Sequence, residues 1–113
     1  MNKLLLALTV LLLVNITHAQ KVSVEAKLYE NNELIGSPGI VTELNKTAAV
    51  SIEGLFLFAV TIEEDKTDFV TVQTEYKTPS GQMAPILKMR HGEETRVTIG
   101  NQSISVVVSK VGS

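Results

Sequence analysis

The chain of 113 residues contains no cysteine and no tryptophan. Without cysteine there is no disulfide framework, so a loop-rich, bridge-stapled scaffold is excluded and an exported form must be held by its core alone. The same absence rules out a lipid-modified N-terminal cysteine. Aromatic residues are scarce at 4% of the chain, namely Tyr29, Phe56, Phe58, Phe69 and Tyr76, too few for a sugar-stacking cleft. Basic charge is also short: 10 Lys and Arg face 12 Asp and Glu, a net charge of -2 that becomes more negative if Lys3 is removed. That balance argues against nucleic acid or an anionic membrane surface as partner.

One long apolar run is present, and it stands at the beginning. In MNKLLLALTVLLLVNITHAQ, Lys3 supplies a positive start, Leu4 to Val14 an apolar stretch and Thr17-His18-Ala19 a small-residue cleavage site. This reads as an export signal, residues 1–19, cut after Ala19, and places the mature chain in the periplasm or outside the cell. The run is about half of the roughly 20 residues a membrane-spanning helix needs. A retained N-terminal anchor is the alternative, and no later stretch is long enough to span. The remainder, residues 20–113, is sized for a single all-β domain. A cysteine-free exported domain fits the bacterial envelope.

Period-2 alternation runs through the mature chain. Val22, Val24, Ala26 and Leu28 alternate with Ser23, Glu25 and Lys27, and similar patterns recur in AVSIE, FAVTIE, FVTVQTEY, TRVTIG and SISVVVS, separated by turn residues. The expected fold is an antiparallel β-sandwich, or small barrel, of about eight strands. Its expected core is Val22, Val24, Leu28, Ile40, Val50, Ile52, Phe58, Val60, Ile62, Val70, Val72, Leu87, Val97, Ile99, Ile104, Val106 and Val108.

The chain also aligns with itself. An offset of 48 residues carries Val22-Val24 to Val70-Val72, an offset of 47 carries Pro38, Asn45, Val50 and Ile52 to Pro85, Gly92, Val97 and Ile99, and an offset of 46 carries Gly54, Phe58, Val60 and Ile62 to Gly100, Ile104, Val106 and Val108. Each one-residue drop falls in or beside a turn, where it leaves the buried face intact. The expectation is an internal repeat, residues 22–62 and 70–108, giving two four-stranded meanders packed face to face.

The sequence Ser37-Pro38, Val41-Thr42, Leu44-Asn45, Ala48, Ile52, Gly54 and the following FAVTIEEDKTDFVTVQTEY resembles the C-terminal segment of secretins, the ring-forming outer-membrane channel subunits of type II and type III secretion and pilus systems. The likeness covers about residues 34–77. It implies a shared hairpin arrangement and an envelope setting. The long periplasmic domains of that family are not present, and Val60-Thr61-Ile62 stands where the family has a strand of the VTP kind, so channel activity is not implied.

Chemistry-bearing residues are sparse. His91, in the turn MRHGEE, is the one imidazole beyond the signal, and with Glu93 and Glu94 it forms half of a metal or acid/base set rather than a whole one. The acidic turn EEDKTD, Glu63 to Asp68, has clustered carboxylates without the spacing of a calcium loop. Sequons at Asn45 and Asn101 coincide with turns, where Asn is favoured anyway. No cofactor, metal or catalytic set is therefore expected, and the chain reads as a non-catalytic binding or structural module acting on a protein partner or on itself. The alternative is a small secreted hydrolase or metal-binding protein using carboxylates remote in sequence. One stretch exceeds what an isolated sandwich needs: in GLFLFAVTIEE, Leu55 and Leu57 are apolar on the face opposite Phe56, Phe58, Val60 and Ile62. Either they are covered internally, or with Phe69 they form a partner-contact patch on one outward face.

Overall fold

In a computed structural model, residues 20–65 and 68–111 are described. The signal-like segment and the middle of the acidic turn, Lys66 and Thr67, lie outside them. The described residues form ten strands and no helix: β1 (Lys21–Glu30), β2 (Glu33–Gly36), β3 (Gly39–Glu43), β4 (Thr47–Ile52), β5 (Phe56–Glu64), β6 (Phe69–Thr78), β7 (Gly81–Met83), β8 (Ile86–Arg90), β9 (Glu94–Ile99) and β10 (Gln102–Lys110). They make two antiparallel sheets, the sandwich that the alternation calls for. The first has β2 and β3 along one side of β1, then β10 and β9; the second has β7 and β8 along one side of β6, then β5 and β4.

Ten strands replace about eight because each sheet has one edge broken in two. Ser37-Pro38 separates β2 from β3 and Ala84-Pro85 separates β7 from β8, and proline has no N–H to give a ladder. Pairing still bridges the breaks: the Ala26 amide donates to Pro38 O (3.0 Å) and the Thr74 amide to Pro85 O (3.2 Å).

The two halves correspond strand by strand. Val24 pairs with Val108 in the first sheet as Val72 pairs with Ile62 in the second. The Asn45 amide donates to Ile62 O (2.8 Å) as the Gly92 amide donates to Val108 O (2.8 Å). Both turn positions have left-handed backbone, φ 65° at Asn45 and 80° at Gly92, which explains why asparagine and glycine stand there. The arrangement differs from two meanders stacked on each other. Each sheet takes β1–β3 or β6–β8 from one half and the last two strands from the other. Alternation fixes which face a strand buries, and it is silent on which strand lies beside it.

The offset drops also have physical sites. Pairing of β1 with β2 shifts between Leu28 and Tyr29, an extra residue absorbed as a bulge, whereas β6 pairs with β7 without a shift. The other drop is the turn: Glu53-Gly54-Leu55 links β4 to β5, and the shorter Gly100-Asn101 links β9 to β10.

Val22, Val24, Leu28, Phe58, Val60, Ile62, Val70, Val72, Leu87, Ile104, Val106 and Val108 are buried between the sheets, while Ile40, Val50 and Val97 are partly buried against them. Ile52 and Ile99, expected in the core, are each 51% exposed. They face inward at hairpin ends that the opposing sheet does not cover. Ala26, Phe56, Tyr76, Met83 and Met89 complete the core. Gly36 makes room for Phe56, whose ring would lie 2.7 Å from a Cβ at that position. In the second half the matching pair is Met83 and Gln102, and the buried Gln102 amide donates to Thr78 Oγ1 (3.1 Å) and Gly81 O (3.1 Å).

Candidate interaction surface

The three residues expected to meet a partner do not form one patch. Leu55 lies in the β4–β5 turn, 39% exposed, beside a shallow depression of about 260 Å³ lined by residues 51–57 and 77–79. Leu57 is half-buried on the outer face of the second sheet, between Ser51 on β4 and Lys77 on β6. Phe69 points to the same face but pairs with Arg90, eight positions along β6 from Lys77. At ~3.3 Å per residue that is roughly 26 Å away. Phe69 is half-buried with the Arg90 guanidinium 5.0 Å and Lys88 Nζ 5.9 Å from its ring centre, so cations cover it. Leu55 and Leu57 thus belong with β4, and Phe69 belongs to another end of the molecule.

Ser103 and Ser105, which match Leu57 and Ala59 in the other half, are not open surface. Both are buried on the outer face of the first sheet. Arg96 lies 4.4 Å from the centre of the Tyr29 ring, reaching from β9 toward β1 across β10 and roofing the serines. Beyond that roof a groove of about 340 Å³ opens where β2 breaks from β3, lined in part by Glu25, Lys27, Pro38, Glu94 and Ser105. Ser105 Oγ donates to Glu94.

The residues around His91 are pulled apart. Glu93 turns back to accept from the Arg90 amide (3.4 Å), Glu94 goes to Ser105, and His91 Nε2 lies 3.6 Å from Glu64 Oε2. Among the described residues both imidazole nitrogens are buried without a hydrogen-bond partner. Among the described residues no three His, Asp or Glu are grouped to hold a metal ion. Of the acidic turn, Asp65 pairs with Lys88 (3.7 Å). Elsewhere, Ser80 donates to Glu30 (2.8 Å); hydrogen bonds from Thr78 and then Ser80 hold the Glu30 carboxyl below its usual range.

The lateral edges carry the remaining chemistry. An edge strand exposes unpaired N–H and C=O groups, and soluble proteins blunt it with proline, bulges or charge. The β2–β3 edge has Pro38 and the bulge, the β7–β8 edge has Pro85, and β9 carries Glu94 and Arg96. β4, TAAVSI, is unbroken, uncharged and paired only through β5 among the described residues. Ala49 and Ser51 are exposed on its outer face, and Ile52 is exposed at its end. Alternation alone could not mark β4, since being an edge follows from the sheet order.

Among the described residues no helix is long and apolar enough to cross a membrane. No protein family, curated protein or solved structure matches the chain.

Proposed function

We propose that the protein is an exported, non-catalytic binding or structural module of the bacterial envelope that works by protein contact along the β4 edge. The observation that carries this reading is the contrast between β4 and the three blunted edges. Strand addition to such an edge draws affinity from main-chain hydrogen bonds and specificity from alternate side chains. Leu55, Leu57 and Ile52 supply apolar area at the end of the same hairpin. The export assignment is supported by the N-terminal segment, and the envelope setting by the secretin-like run from about residue 34 to 77, which spans β4 and β5.

The test is affinity capture from envelope extract with the chain from Gln20 onward, which contains every described strand, beside an Ala49→Arg variant. Ala49 occupies the place in β4 that Arg96 occupies in β9, so the substitution gives this edge the charge its counterpart has. Capture that is lost with Ala49→Arg while the thermal midpoint is kept supports the reading. Capture that is indifferent to the variant removes β4 from it.

A further inference from the structure

We infer that the occupant of the β4 edge is the β4 edge of a second copy, joined antiparallel about a twofold axis at Val50. The inference rests on the reading of β4 as a contact edge and names what covers it. In antiparallel pairing, opposite residues share a face, so inner residues meet inner residues only when the axis passes through a residue rather than between two. An axis at Val50 sets Val50 against Val50 of the second copy, the exposed Ile52 against the small Ala48, and Ala49 against Ser51. Val50 and Ala48 are already on the inner face, opposite Phe58 and Val60. An axis at Ala49 instead leaves Ile52 opposite Lys46. The Val50 register therefore covers the apolar end that the monomer leaves half open.

Charge complements this geometry. β4 carries no charge to repel its copy, and the residues flanking it are Lys46 and Glu53, both exposed. In the Val50 register Glu53 stands opposite Thr47 of the second copy, next to Lys46. The twofold axis repeats that juxtaposition at the other end, giving two opposite-sign contacts. Lys46 makes an exposed ion pair with Glu43 of its own chain (3.0 Å), an interaction that contributes little and is readily shared. The same pairing through β9 would place its Glu94 and Arg96 in the joint. The joined edges would make one continuous sheet from the second sheets of both copies.

Sedimentation equilibrium on the chain from Gln20 onward tests this with four variants: Ala49→Arg, Lys46→Glu, Glu53→Lys and the double Lys46→Glu/Glu53→Lys. Wild type is expected as a concentration-dependent dimer and Ala49→Arg as a monomer. Each single reversal places like charges together at both ends and weakens association by about tenfold. The double reversal restores it to within about twofold of wild type. Lys46 and Glu53 are surface residues, so these variants remain informative even if Ala49→Arg does not fold. A chain that stays monomeric at every concentration, a dimer insensitive to the singles, or a double that fails to restore overturns self-pairing. A monomer that nevertheless captures an envelope protein, and loses it with Ala49→Arg, overturns self-pairing while leaving the proposed function standing. Indifference of both capture and association to Ala49→Arg overturns both.

Discussion

Replacing His91 by leucine is expected to stabilise the protein. His91 and Leu44 occupy matching places, each just before the left-handed residue whose amide pairs with the last strand of its half. Leu44 packs against the core. The imidazole at the second place has both nitrogens buried and unpartnered, and its 3.6 Å approach to Glu64 is too long for a hydrogen bond. An unsatisfied buried polar atom costs ~1–3 kcal/mol, with the lower end apt here because the ring lies at the margin of the core. Leucine adds ~1 kcal/mol of apolar burial, and the contact with Glu64 contributes ~0–1 kcal/mol against the change. The net expectation is a gain of about 1 kcal/mol, which for a domain of this size raises the melting midpoint by ~4–8 °C. The reciprocal Leu44→His is expected to cost ~1–2 kcal/mol, since it imports the same unpaired nitrogens. Urea titration and thermal melts at neutral pH read both variants. Destabilisation by His91→Leu, or a harmless Leu44→His, would refute the claim that the imidazole is a burden on the fold.

Burial, followed by the charge of Glu30, pushes the Tyr76 hydroxyl from 10.0 up to about 12. The unfolded chain therefore ionises first, and this contribution to stability is whole below about pH 10 and lost as the pH rises toward about 12; urea unfolding across that window should show the fall, and Tyr76→Phe should flatten it. At neutral pH, Tyr76→Phe forfeits the hydrogen bond to Tyr29 O (3.1 Å), a cost of about 1 kcal/mol. Leu57→Ser and Phe69→Ser remove half-buried side chains worth ~1 kcal/mol each, and their separation makes the effects additive within ~0.5 kcal/mol; a coupling above ~1 kcal/mol in a double-mutant cycle would put them in one patch after all. Gly36→Ala pushes a methyl group into the Phe56 ring and should destabilise by ~1–3 kcal/mol, with Phe56→Leu in the same chain recovering most of the loss in thermal melts.

Alternation found the inner faces of β1, β5, β6 and β10, because a strand buried on one side must carry apolar residues at every second place. The match of the chain with itself marks the paired turns, since Asn45 and Gly92 are held to positive φ by the backbone itself. Alternation puts Ile52 and Ile99 inside, where they are half exposed, for periodicity tells which way a side chain points and not how far the opposing sheet extends over it. Tyr76, outside the expected core, is fully buried because its hydroxyl finds a partner in the carbonyl of a residue in the other sheet. Ser103 and Ser105 lie on the outer face and are buried all the same, because an arginine and a tyrosine from two other strands meet across them. Parity puts Phe69 and Leu57 on one face and is silent on the distance along β6 that separates them.

The exchange of strands between halves bears on where the halves can differ. β1 needs β10 beside it and β5 needs β6, so the four central strands hold one register that neither half can change without the other. Differences are pushed outward, and the two insertions obey this: one is a bulge on the edge strand β2, the other an added residue in the β4–β5 turn. The edge strands β4 and β9 follow the same logic. Val50 and Ile52 match Val97 and Ile99, keeping the inner row, while Thr47 and Ala49 stand where β9 has Glu94 and Arg96. Arg96 serves its own sheet by covering buried serines, and the matching floor in the other sheet is Leu57 and Ala59, which need no such roof. The second half thus uses its edge charges internally. The first half has none there, which among the described residues leaves the backbone of β4 open to another strand.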